Sequence, residues 1–145
     1  MLPLAVLVLG LSGCDSGSGK WIGVWEGEDL SAVSPELERE NPVIANTLKK
    51  VSVTICANGN FVLTRGGMPY QGSTTLSREK AVLQVRTILG RPIENEPAMV
   101  QKANPNIELV KKGQDAEFKD PADFGKPPIK MTRTGNAPAS GTSGC

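Results

Sequence analysis

Residues 51–65 read V-S-V-T-I-C-A-N-G-N-F-V-L-T-R, and this stretch decides the fold. Val51, Val53 and Ile55 alternate with Ser52, Thr54 and Cys56. A period of two marks a strand with one buried face, because successive side chains point to opposite sides. Asn58-Gly59 follows, a dipeptide that tolerates the positive φ angles of a tight hairpin turn. Phe61 to Arg65 is then the returning strand. An antiparallel hairpin is therefore expected here, with Val, Ile, Phe and Leu turned to the core.

The pattern extends downstream. Gly66-Gly67-Met68-Pro69 turns the chain, Tyr70 to Leu76 reads as a polar strand, and Ser77-Arg78-Glu79-Lys80 is a second turn. Ala81 to Leu89 is a strand on which Val82, Gln84, Arg86 and Ile88 oppose Leu83, Val85, Thr87 and Leu89. Gly90 to Pro105 is a long loop with a helical turn around Pro97 to Lys102. Ile107 to Lys111 and Ala116 to Lys119 read as strands, Asp120 to Pro128 as a proline-rich loop, and Ile129 to Thr134 as the closing strand. Upstream, Ser34 can cap a helix whose first position is Pro35. Pro42 must break that helix, and Asn41 caps a second piece with Ile44, Ala45 and Leu48 as its apolar stripe. Ser34 to Lys50 is thus a helical insert in two pieces. Lys20 to Glu26 is the first strand, with Trp21, Gly23 and Trp25 on one face. The fold expected is mainly β: an antiparallel up-and-down meander or small barrel with a short helical insert after the first strand.

Composition agrees. The chain has 145 residues, with 16 glycines and 11 prolines favouring turns and short strands over long helices. Aromatic residues make up only 4%, so the core rests on Val, Ile and Leu. A net charge of +1 argues against nucleic acid as a partner. No histidine occurs, which removes the commonest general base and most transition-metal sites.

The first residues carry a different signal. Leu2 to Leu9 is apolar, and Met1 to Gly13 holds no charged side chain. A membrane-spanning helix needs roughly twenty apolar residues, about twice this run, so the length suits the apolar core of a secretory signal. Leu11-Ser12-Gly13-Cys14 follows directly and resembles the lipobox of bacterial lipoproteins. The sequence departs from that family in having no Lys or Arg ahead of the apolar run. The resemblance implies cleavage between Gly13 and Cys14 and acylation of the Cys14 thiol, with the membrane as partner through that lipid. It places the domain in the cell envelope, outside the cytoplasm. Residues 1–13 are then a signal peptide, 14–19 the lipidated cysteine and a flexible linker, 20–134 the β-rich domain and 135–145 a disordered tail. With Cys14 acylated, Cys56 and Cys145 remain as an even pair: they either form a disulfide or stay as thiols, Cys56 being buried as a small hydrophobe.

Gly23-Val24-Trp25 on the first strand resembles the Gly-x-Trp of lipocalins. That resemblance implies a barrel with Trp25 packed at its base and Arg133, near the end of the domain, stacked against it as a structural partner.

Candidate chemistry is sparse. Gly19-Lys20 is not a phosphate loop, because Cys14 stands where the first Gly belongs and Trp21 where Ser or Thr belongs. Glu26, Glu28 and Asp29, and likewise Glu94 and Glu96, fall at strand ends or loops and read as solvated surface. Asp115, Glu117, Asp120 and Asp123 could offer oxygen ligands to calcium, but no Asp-x-Asp-x-Asp-Gly loop frames them. Cys56 lacks a histidine partner, and no serine sits in a G-x-S-x-G turn. The sequence thus implies no catalytic residue, metal or cofactor. Two functions remain: an envelope interaction module with a filled core, partnered by another envelope protein, or a lipocalin-like carrier of a small apolar ligand or lipid. Core volume separates them.

Overall fold

The computed structural model describes residues 17–103, 106–141 and 144–145. The lipobox residues, including Gly13 and Cys14, lie outside the described residues. Nine strands form in chain order: β1 Gly23–Glu28, β2 Lys50–Ile55, β3 Asn60–Arg65, β4 Met68–Leu76, β5 Lys80–Ile88, β6 Arg91–Pro92, β7 Ile107–Lys112, β8 Asp115–Lys119 and β9 Ile129–Gly135. Every pairing is antiparallel, and strands adjacent in sequence are adjacent in the sheet, except that β7 pairs with β5 past the short β6. β1 pairs with β9 and β4 with β5, so the sheet closes into an eight-stranded up-and-down barrel, with the two-residue β6 as an arm on β5. This is the architecture that the hairpin pattern predicts.

The hairpin of residues 51–65 sets the register. Val53 faces Leu63 and Ile55 faces Phe61, all fully or almost fully buried. The same alternation carries Leu83 and Val85 of β5, Ile107 and Leu109 of β7, Phe118 of β8 and Met131 of β9 into one buried cluster with Trp21 and Trp25. Tyr70 and Leu76 add the contribution of β4. Gly72 makes the seam between β4 and β5 close: the register shifts there, and a Cβ would overlap the backbone of Gln84.

The barrel has two ends. β1 runs away from the end that carries Trp21, so the tight turns β2–β3, β4–β5 and β7–β8 share that tryptophan end. The longer connections share the other, helical end. Between β1 and β2 lie α1 (Pro35–Glu40) and α2 (Pro42–Lys49). The Ser34 hydroxyl accepts from the Leu37 N–H, and the Asn41 side chain accepts from the Ile44 N–H, so both caps form where the sequence puts them. Ala45 is buried, and Lys49 pairs with Glu38 at 2.7 Å.

Three local features differ from expectation. The first strand begins at Gly23, and Ser18–Trp21 forms a 3-10 turn instead. That turn lets the Trp21 indole fold over the barrel end and donate to the Ser77 carbonyl at 2.7 Å. The expected loop after β5 holds β6 and a 3-10 turn at Ile93–Asn95, while the helical turn expected around Pro97 to Lys102 forms as α3 (Ala98–Ala103). The expected disordered tail is held at its last residues. Cys145 is joined to Cys56 by a disulfide, the Asn58 amide donates to the Cys145 carbonyl, and Gly144 lies against Val62.

Candidate functional site

Three cations sit on inward-facing registers at the barrel ends. Arg65 is opposite Val51, Lys111 opposite Ala116 and Arg133 opposite Trp25, each facing a buried position of the neighbouring strand. How each charge is balanced differs between the ends.

At the helical end, Arg65 is surrounded. Its guanidinium donates to Asp29 at 2.8 Å, to Asp120 at 3.0 Å and to Asp123, and it lies 5.6 Å from the centroid of Phe118. Burial pushes the Asp29 carboxyl up, but hydrogen bonds from Ser31 and Arg65 outweigh it and hold the group below its ordinary value. Asp120 goes the other way: burial raises it, and the Ala122 N–H and Arg65 offset only part. Asp29 was expected on solvated surface and is instead buried. Asp120 and Asp123 do not face a metal position, because the guanidinium occupies the centre of the group. Asp115 and Glu117, on β8, pair with lysines instead. This end also carries the exposed large apolar side chains found among the described residues. Leu30, Val43, Leu89, Met99 and Phe124 stand on its connections and Met68 at the start of β4, Phe124 being 99% exposed.

The tryptophan end is built on the indole pair. Trp25 donates through its ring nitrogen to the Trp21 carbonyl at 2.9 Å, and the ring centroids are 5.4 Å apart at 44°. The Lys111 ammonium stands over both rings, 5.0 Å from Trp21 and 4.9 Å from Trp25. The cation over the indoles is therefore Lys111, whereas Arg133, expected to stack there, donates to the Ile22 carbonyl at 2.9 Å and to Asn136 at 3.3 Å. Gly23 makes room for it. With φ at +145°, a Cβ there would lie 2.6 Å from the Gly135 carbonyl oxygen and 2.8 Å from the Arg133 Nε. Between these groups opens a cleft of about 680 Å³, rimmed by Lys20, Arg78, Lys111 and Arg133, with Glu79 the one carboxylate in its lining. None of the four cations has a carboxylate within 4.0 Å among the described residues.

The chain matches no family model, no curated protein and no solved structure. What the geometry offers must stand alone. The tryptophan end is an open, cationic, aromatic-floored cleft suited to an anion. The helical end is a neutralised charge cluster ringed by exposed apolar side chains, suited to a protein surface. Sequence reasoning singled out Trp25 and Arg133 but missed Arg65 and Lys111. The signal was present: Phe61-x-Leu63-x-Arg65 and Ile107-x-Leu109-x-Lys111 each continue an inward stripe into a cation.

Proposed function

We propose that the chain is a bacterial lipoprotein, held in the cell envelope through Cys14, whose barrel is a non-catalytic interaction module. The observation that carries this reading is the segregation of exposed apolar side chains to the helical end. Exposed apolar side chains gathered at one end of a domain suit contact with a partner. The helical end is also the one remote from Gly17, where the chain leads back to Cys14. A domain tethered there turns its apolar end away from the bilayer, toward another envelope protein. The filled interior favours this reading over the carrier, because the barrel axis is taken by Trp25, Phe61, Phe118, Leu83 and Met131 rather than by space for cargo.

Native mass spectrometry of the protein taken from its own envelope tests this reading. The expected mass is the acylated chain, free of cargo at high ammonium acetate, with a protein partner that Phe124→Ser releases. A stoichiometric apolar adduct that survives high salt and leaves only on denaturation would establish the carrier instead. For the anchor, Cys14→Ala is expected to lose the acyl mass and leave the membrane fraction. Retention of both would remove the lipobox reading.

A further inference from the structure

The two ends solve the same electrostatic problem differently. A half-buried cation at a barrel mouth, as Arg65 and Lys111 are, is partly desolvated and gains from an anion or an aromatic face, whereas Arg133 stands exposed beside Lys111. At the helical end Arg65 has three carboxylates. At the tryptophan end Lys111 and Arg133 have none among the described residues, and Lys20 and Arg78 add two more cations to the same rim. The indole pair holds the Lys111 ammonium in place without neutralising it. Arg133 is held by the Ile22 carbonyl and by the cradle at Gly23, which fixes its planar fork at the cleft. A preset fork beside a fixed ammonium is the arrangement that receives tetrahedral oxyanions, the guanidinium giving paired hydrogen bonds and the lysine a point charge.

We propose that this cleft binds a phosphate group, as a monoester or diester. Four cations against Glu79 among the described residues leave an excess of positive charge that an anionic phosphate offsets, and its tetrahedral oxygens can reach the guanidinium and the ammonium in different directions. The assignment stands on the cleft and not on the lipid anchor. If Cys14 is acylated, the cleft lies beside the segment leading to the anchor, and the phosphate at hand is that of an anionic phospholipid headgroup.

Both tryptophans of the chain lie at this site, so indole emission reports on it alone. Two arms separate the sources. In one, the full chain carrying Cys14→Ala, kept in an uncharged detergent, is titrated with sn-glycerol 3-phosphate. In the other, the full chain is mixed with phosphatidylcholine vesicles with or without phosphatidylglycerol. A saturable emission change is expected in the first arm, and in the second only with phosphatidylglycerol. Lys111→Met and Arg133→Gln should each weaken it about tenfold or more, whereas Lys112→Gln, on the outward face of the same strand, should leave it unchanged. Thermal melts confirm that each variant is folded. A response to glycerol phosphate alone supports the site and assigns it to soluble phosphate compounds; a response to vesicles alone assigns it to lipid. No response in either arm, or an equal loss with Lys112→Gln, overturns the proposal. Failure of the anchor would appear separately, as an acyl mass that persists in the Cys14→Ala chain. An adduct in native mass spectra that persists with Lys111→Met is cargo inside the barrel and bears on the module reading, not on this one.

Discussion

Single residues decide how each barrel end is closed. Trp25 is buried, hydrogen-bonded to the Trp21 carbonyl and pressed by Lys111, so no neighbour can refill its volume. Trp25→Ala should cost about 3–5 kcal/mol, read from urea melts. A loss below about 1 kcal/mol would remove the ring from the core. Arg65 differs because its worth is electrostatic. Arg65→Ala leaves Asp29, Asp120 and Asp123 facing one another, and the loss should be about 3 kcal/mol, the low end for breaking a buried pair, since the group is partly solvated. Arg65→Lys should recover only part, because an ammonium cannot fork to three carboxylates. The same cluster sets a pH dependence. Asp29 titrates lower in the folded chain than its ordinary 3.8, so the stability it contributes is present above that value and is lost as pH falls through the depressed one. Asp120 titrates higher when folded, so its protonation favours the fold, and it acts above Asp29's window. Asp29→Asn is therefore expected to flatten the fall in urea midpoint below about pH 4. An unchanged slope in that window would mean that the bonds from Ser31 and Arg65 do not hold the Asp29 carboxyl down.

At the scale of elements, the connections show which signals a sequence carries. The β5–β6 hairpin turns through Leu89 and Gly90 at φ of 51° and 74°. Glycine bears this without strain, but a leucine in the left-handed region costs about 1–2 kcal/mol. Leu89→Asn puts the residue that best tolerates the left-handed region ahead of Gly90, a pair suited to a two-residue hairpin turn, unlike the Asn58-Gly59 turn, where only Gly59 has positive φ. It should raise stability by about 1 kcal/mol in a urea melt, because the 54% exposed leucine gives up little packing. A loss instead would show that Leu89 packs in a way its exposure hides. The β2–β3 hairpin, the paired caps at Ser34 and Asn41 and the break at Pro42 were legible because each is local: a turn dipeptide, a side-chain oxygen three residues ahead of an N–H, a missing donor. Trp21 was misplaced on a strand because its position is fixed by the Ser77 carbonyl 56 residues away, which no local period encodes. The Arg65 cluster was illegible for the same reason. Its carboxylates come from two distant segments of the chain, and only barrel closure brings Asp29 to Asp120 and Asp123.

Closure is also what the whole molecule depends on. The first and last strands meet along Trp25 to Gly27 and Met131 to Arg133, so the barrel is sealed by the β1–β9 ladder and not by the chain terminus. The disulfide adds a different constraint. It joins residues 89 apart and pins the terminus beside the β2–β3 turn, at the tryptophan end. Its main effect falls on the unfolded chain, whose loop of that length loses about 4–5 kcal/mol of entropy in the loop-closure model, of which about 2–4 is usually realised. Cys145→Ser should therefore lower unfolding stability by about 2–4 kcal/mol while leaving near-ultraviolet circular dichroism, which reports on Trp21 and Trp25, unchanged. Wild-type protein under reductant should match the variant, and the variant should not respond to reductant at all. A collapse of the aromatic signal on reduction would place the seal of the barrel in the disulfide, and the β1–β9 ladder would then be too weak to hold the tryptophan cleft in shape by itself.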